Sequence, residues 1–430
     1  MNPNLWILLV SLASPAETLR LDFEQAVRLA LRRSPVQSEV SATRVKAATT
    51  LAQGVGSLLP TLSGSIGYGT AESRSLLNPE STFTEHLWTG SLTISQVVFD
   101  PAVFTGVVAA MVNASYQATE AQDQAARLLL DITTDYLGLL KAQLLRDAAR
   151  TALQQAEENL RLVGERERLG SASQIDRLRA QVLRSQAEIQ LLSAEKGVKV
   201  AQENLKAVAG IIGNIAIVAT ETLGNPPEMA IDNPDSLLAE IERRNPGAAL
   251  ARKARAAAAA QVAGAVGRGL PSVSLYWRSS YSDTAFPRSH AVWRGHDVVS
   301  SGITVTWPLL DLKSFIIGIV DAGAGYRKSR VAATRARLTL RASAAAAILG
   351  YQEAKRQLEA ARTNLELNQE LGRLAQEQFR LGSLSLTDLF AVEANLASAR
   401  ASYIGALCDS YIQAAQINYL LGMTQPVVQK

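Results

Sequence analysis

Few residues in this chain could carry out covalent chemistry. There are three histidines, His86, His290 and His296, and a single cysteine, Cys408. A structural or catalytic zinc site needs three or four N, S or O ligands brought together from close spacings. The histidines stand singly in or near the loops that join strand-like segments, with no cysteine and no carboxylate cluster beside them. Solvated loop histidines are expected, and no metal. Cys408 alone excludes an intrachain disulfide. No nucleophile–base arrangement is evident. Gly264, Gly267 and Gly269 precede a strand-like stretch, whereas a dinucleotide fingerprint follows one. The reading is therefore no enzyme and no cofactor.

What the chain does repeat is a turn. RLGSAS runs from Arg168 to Ser173, and RLGSLS runs from Arg380 to Ser385, with the glycines 212 positions apart. In each copy the glycine (Gly170, Gly382) allows the positive φ of a tight turn. The serines (Ser171, Ser173; Ser383, Ser385) offer caps, and Arg168 and Arg380 offer charge beside Leu169 and Leu381. Six residues after each glycine stands an aspartate, Asp176 or Asp388. Each could complement the dipole at the start of a following helix.

The elements around these turns repeat as well. RRSP (Arg32–Pro35) is answered by RRNP (Arg243–Pro246), and LLPTLSGSIGY (Leu58–Tyr68) by GLPSVSLYW (Gly269–Trp277). ISQVVFD (Ile94–Asp100) is answered by VTWPLLD (Val305–Asp311), and KAVAG (Lys206–Gly210) by YLLG (Tyr419–Gly422). All lie on one diagonal, so the chain reads as two structural repeats, 17–225 and 226–430. In SP and NP, Ser34 or Asn245 can cap a helix that begins on proline. Gly210 and Gly422 suit the left-handed residue that closes a helix.

No proline occurs between Pro101 and Pro226, nor between Pro308 and Pro426. The stretch 102–168 as one helix would be about 100 Å long at about 1.5 Å per residue, more than a globule can bury. Leu153, Ala156, Leu160 and Val163 step by threes and fours. So do Leu178, Val182, Ser185, Ile189 and Leu192, and again Leu389, Val392, Leu396, Ala399 and Tyr403. These stripes read as seams between antiparallel helices joined at the RLGS turns. The expected fold is mainly α, built from duplicated long helical hairpins.

Between those helices the period changes to two. Leu62, Gly64, Ile66 and Tyr68 alternate with small polar residues, as do Trp88, Leu92 and Ile94. Val273, Leu275 and Trp277 behave alike, and so do Ile303, Val305 and Trp307. Four strands are expected, about 61–70, 87–99, 271–281 and 297–308, each with one apolar face. Trp88, Trp277, Trp293 and Trp307 fall in these segments, as aromatics at a membrane interface do. With Ser, Thr and Gly opposite, the strands suit a barrel wall between lipid and a wet lumen. A pair of soluble hairpins over a core is the alternative. Strands in lipid must close, and four are too few for one chain to close alone, so two or three copies would share the barrel.

The net charge of +4 is small for 430 residues, and no basic block points to nucleic acid. Residues 1–16, with an apolar run from Leu5 to Ala13, read as a signal peptide. No later apolar run is long enough to span a bilayer as a helix.

The ordered set of (S/N)P corner, LP-initiated strand pair, long helix, RLGS turn with its aspartate, and return helix, present twice, resembles the TolC-like outer-membrane efflux proteins over essentially the whole mature chain. The resemblance implies a homotrimer with a transmembrane twelve-stranded β-barrel, four β-strands per chain, above an α-helical tunnel crossing the periplasm of a Gram-negative bacterium. It implies contact of the tips, Arg168, Leu169, Gly170, Ser171, Ser173, Arg380, Leu381, Gly382, Ser383 and Ser385, with a periplasmic adaptor protein that joins an inner-membrane transporter. It also implies that Asp176 and Asp388 line the periplasmic aperture. Ala391 departs from the family pattern, where a further acidic residue can stand. The implied function is a passive exit channel for small molecules, metal ions or polypeptide. A soluble or peripheral coiled-coil scaffold, or an adaptor, is the alternative.

Overall fold

The computed structural model describes residues 18–74, 82–221, 223–224, 226, 229, 233–308 and 312–423. The expected signal peptide lies outside them. In chain order the elements are β1 (Thr18–Leu21), α1 (Phe23–Arg33), α2 (Pro35–Gly56), β2 (Thr61–Arg74), β3 (Thr82–Phe99), α3 (Pro101–Arg168) and α4 (Gln174–Ala209). There follow β4 (Ala216–Ala219), α5 (Pro234–Arg244), α6 (Pro246–Gly267), β5 (Ser272–Asp283), α7 (His290–Gly295), β6 (Asp297–Thr306), α8 (Leu312–Arg380) and α9 (Leu386–Leu420). The fold is mostly helical, with long antiparallel helices and a small sheet.

Two compact units are present, and both halves of the sequence contribute to each. Among the described residues the helical unit takes 18–42, 121–248 and 337–423, and the sheet unit takes 43–120 and 249–336.

In the sheet unit the strand order is β2-β3-β5-β6, antiparallel throughout, which leaves β2 and β6 as edges. The register pairs Leu62 with Ile94, Ile66 with Gly90 and Tyr68 with Trp88. It then pairs Ile94 with Trp277, Leu275 with Ile303, and Val273 with Val305. Facing residues in an antiparallel ladder share a face, so the apolar sets of all four strands lie on one side. Most of that side is exposed: Leu62, Ile66, Tyr68, Ile303 and Val305 each show more than half their surface. The opposite face carries Ser63, Ser65, Thr89, Ser91, Thr93, Ser274, Tyr276, Arg278 and Thr304, with Thr61 and Ser65 hydroxyls bonded across the strands to Ser95 and Ser91.

The long helix α3 begins where the sheet ends. Asp100 accepts from the Ala102 and Val103 amides at 2.8 and 3.2 Å, and Pro101 fills the first helical position, where its missing N–H costs nothing. Helix α3 then runs 68 residues without a break, and α8 runs 69.

In the helical unit one core gathers Leu21, Phe23, Ala30, Leu128, Ile132, Tyr136, Leu205 and Ile217. Strands β1 and β4 pair in parallel at its edge. Tyr136 donates its hydroxyl to the Leu21 carbonyl at 3.1 Å, so its polar end is satisfied inside. A second core gathers Ile241, Ala344, Ile348, Tyr351, Ala414, Ile417 and Leu420.

Three sequence expectations need correction. The stripe Leu178, Val182, Ile189 and Leu192 does not lie between the helices of its hairpin; each of these side chains is more than half exposed. A 3–4 pattern shows that a face wants covering, not which partner covers it. The stripe on α9 is buried as expected at Leu389, Leu396 and Ala399. Next, Trp293 lies on the short helix α7, not in a strand. Ser34 does not cap α2: its hydroxyl is buried without a hydrogen-bond partner among the described residues.

Candidate functional site

The two RLGS turns close their helices in the same way. Gly170 has φ of 74° and Gly382 of 79°, the left-handed region where a side chain is strained. The Ser171 amide donates to the Arg166 carbonyl at 2.8 Å and the Gly170 amide to Glu167 at 2.9 Å. Ser383 and Gly382 donate likewise to Gln378 and Phe379, at 3.0 and 3.1 Å. This paired pattern satisfies the last carbonyls of a helix through a left-handed glycine. The Ser171 and Ser383 hydroxyls donate to the same Arg166 and Gln378 carbonyls, at 3.1 and 3.0 Å.

Each return helix is then capped. The Asp176 amide donates to Ser173 Oγ at 3.2 Å, and the Asp388 amide to Ser385 Oγ at 3.1 Å. In return each hydroxyl donates to its aspartate Oδ2 at 2.7 Å. The Ser173 hydroxyl, followed by its backbone amide, holds the Asp176 carboxyl below the usual carboxylate range. Asp176 is thus anionic at neutral pH and turned toward the start of its own helix.

The tips therefore divide by chemistry. The serines and aspartates are engaged locally. Leu169 and Leu381 are more than four-fifths exposed, and Arg168 and Arg380 stand exposed beside them. No atom lies within 4 Å of where a Cβ would project from Gly170 or Gly382. Each tip is a hydrogen-bonded turn presenting one apolar and one cationic side chain.

Sequence reading missed what ties the two hairpins together above the tips. The Arg166 guanidinium lies 4.3 Å over the Phe379 ring and donates to the Phe379 carbonyl at 2.9 Å. Arg179 donates to Thr387 Oγ1 at 3.3 Å, and Asn159 to Glu393 Oε2 at 2.7 Å. Burial pushes the Glu393 carboxyl up, and hydrogen bonds from Asn159 and Gln376 oppose the shift. Glu393 and Asn159 border a cavity of about 430 Å³ among α3, α4 and α9, lined mostly by alanine and glutamine. The partners lie more than 200 positions apart, and no periodicity marks such a pair.

The other candidates lie in the sheet unit. Trp88 packs on Tyr68 with centroids 4.8 Å apart, and Trp277 and Trp307 lie at least partly exposed on or beside the strands. Trp293 stacks on Tyr281 at 5.4 Å. His86 stacks on Tyr68 at 6.0 Å, His290 opens α7, and His296 faces Asp283 at 3.2 Å. Among the described residues no group of three or more His, Cys, Asp or Glu side chains could hold a metal ion. Burial pushes the Cys408 thiol up to about 11, which leaves it an unreactive core group. Among the described residues no helix is long and apolar enough to cross a membrane.

Residues 237–423 match the family model described as outer membrane efflux protein. No curated protein matches the chain in sequence. Solved structures share its fold. The CmeC outer membrane channel of Campylobacter jejuni is 15% identical with a TM-score of 0.81, over 95% of this chain and 87% of that one. The Vibrio cholerae outer membrane protein VceC is 16% identical at 0.77, over 93% and 96%. The MtrE outer membrane channel of Neisseria gonorrhoeae, in its open state, is 17% identical at 0.76, over 94% and 89%.

Proposed function

We propose that the chain, whose residues 237–423 match the model described as outer membrane efflux protein, belongs to that family and is the outer-membrane exit channel of a tripartite efflux or type I secretion system. It conducts cargo passively and does no chemistry of its own. One observation carries this reading: a four-stranded sheet with an exposed apolar face and two open edges, β2 and β6. In hydrocarbon an unpaired backbone group costs several kcal/mol, on the order of 2–7. The edges must therefore be joined to something, and β2 of one copy against β6 of the next is the pairing the sheet offers. Three copies give twelve strands, enough for a closed barrel with a wet interior. Strands of 10 to 18 residues match or exceed the roughly 9–11 needed to cross a bilayer.

The helices support the same closure. Leu178, Val182, Ile189 and Leu192 on α4, and Leu338, Leu367 and Leu371 on α8, are exposed stripes that neighbouring copies would cover. The duplicated halves, 17–225 and 226–430, would then give each copy two hairpins in a helical tunnel through the periplasm. At its far end Leu169 and Leu381, flanked by Arg168 and Arg380, would meet an adaptor bound to an inner-membrane transporter. Asp176 and Asp388, beside the tips, would line the aperture as an anionic ring.

Outer-membrane fractionation, trimer mobility in unheated detergent gels, and conductance in planar bilayers test the reading. A water-soluble monomer that needs no detergent would overturn it. Bulky substitution at Gly170 or Gly382 meets no neighbour within its own chain. It should reduce export while trimer abundance holds; loss of the trimer instead would mark the turns as folding elements only.

A further inference from the structure

The segment 284–296, between β5 and β6, folds back over the apolar face of the sheet, at the end of the strands away from the long helices. Four contacts fix it there. Phe286 meets Trp88 edge-on at 4.8 Å, and the Tyr281 hydroxyl donates to the Ala285 carbonyl at 2.5 Å. Trp293 stacks on Tyr281 and donates its indole N–H to Ser279 Oγ at 2.8 Å. Gly90 makes room for it: a Cβ there would come within 2.5 Å of the Trp293 ring.

The fit is tight at Trp293 and open beside it. Between α7 and the sheet lies a cavity of about 660 Å³, floored by Ile66, Leu92, Trp277 and Val299 and rimmed by His290 and Arg294. That volume is within the roughly 300–1,000 Å³ of small-molecule sites. The floor is hydrocarbon and continues into the exposed apolar face. The rim carries one guanidinium, Arg294, with no carboxylate partner among the described residues; the one carboxylate in the lining, Asp297, keeps its charge and is held by the Ser279 hydroxyl at 2.9 Å.

We propose that this groove holds an acyl chain of an anionic membrane lipid, with the headgroup phosphate at Arg294. The inference rests on the reading of the sheet as a membrane wall, because a groove continuous with such a wall is filled from the bilayer. An apolar slot with a single guanidinium at its mouth matches a chain that ends in phosphate. Arg pairs with phosphate bidentately, which a zwitterionic headgroup offers less freely.

The test uses the full chain with Trp293 as sole tryptophan (W6F, W88F, W277F, W307F). It is reconstituted into phosphatidylcholine vesicles doped with equal amounts of brominated phosphatidylglycerol or brominated phosphatidylcholine. The brominated anionic lipid should quench Trp293 roughly fivefold more efficiently at equal dose. Arg294→Gln should remove that preference. Gly64→Leu should lower quenching by both lipids, because Gly64 lines the groove with nothing nearer than 3.9 Å to its Cβ position. Native mass spectrometry of the unsubstituted chain, released from anionic vesicles, should retain phosphatidylglycerol. Equal quenching by both lipids in a chain that floats with the vesicles, together with no phosphatidylglycerol retained by the unsubstituted chain, overturns the groove and leaves the membrane reading standing. A chain that fails to float overturns both.

Discussion

The Ser34–Pro35 and Asn245–Pro246 corners each stand between two helices, and each lies beside a left-handed glycine that ends a long return helix. At the second corner the side chain does the holding. Asn245 Oδ1 accepts the Ala248 amide at 3.1 Å, and Nδ2 donates to the Leu420 carbonyl at 3.0 Å, just before Gly422. At the first corner the backbones touch directly. A Cβ on Gly210 would overlap the Arg33 carbonyl oxygen and sit 3.1 Å from Ser34 Cα, while one on Gly422 would lie 3.2 Å from the nearest atom. Ser34 contributes no side-chain bond among the described residues. The same path of the chain is thus secured once by close approach and once by an amide bridge. Local sequence likeness preserves a backbone route without preserving what holds it.

Gly210→Ala should break this contrast most visibly. Positive φ and a clash with fixed backbone together should cost about 3 kcal/mol or more, read as a lower thermal midpoint in detergent. A matching loss in Gly422→Ala would refute the asymmetry. Asn245→Ala should cost about 2 kcal/mol, since it strips two bonds from buried backbone groups. Ser34→Ala should raise stability by about 1 kcal/mol, because it removes a buried hydroxyl that has no hydrogen-bond partner among the described residues. A large loss there would reveal a partner for Ser34.

The tips, where the two copies share the glycine turn and the serine cap, give the mildest test. Asp176 titrates below its unfolded value of about 3.9. Its contribution to the α4 start is therefore full above that pH and is lost as pH falls through the lowered folded value. Carboxyl NMR should show its titration moving back up in Ser173→Ala.

The elements most legible in the sequence were those written in short-range physics. Alternation at Leu62–Tyr68 and Val273–Trp277 marks strands, and the positive-φ glycines of the RLGS turns mark helix ends. Two kinds of feature escaped. Arg166 on Phe379 and Asn159 on Glu393 depend on which helices become neighbours, and no periodicity encodes that. The Leu178–Leu192 stripe was recognisable as a buried-type face, yet no described residue of this chain covers it. Helix α7 was missed because six residues hold too little pattern to stand out from a loop; contact between Trp293 and Tyr281 fixes its place.

The two free margins of the sheet also bear on inheritance. Under the closure proposed, every copy joins one neighbour through β2 and the other through β6, so a copy spoiled at either margin breaches a whole ring. Made in equal amounts with sound copies, it would leave roughly one assembly in eight free of the defect. Damaged alleles of this kind would therefore act dominantly, masking an intact gene expressed beside them.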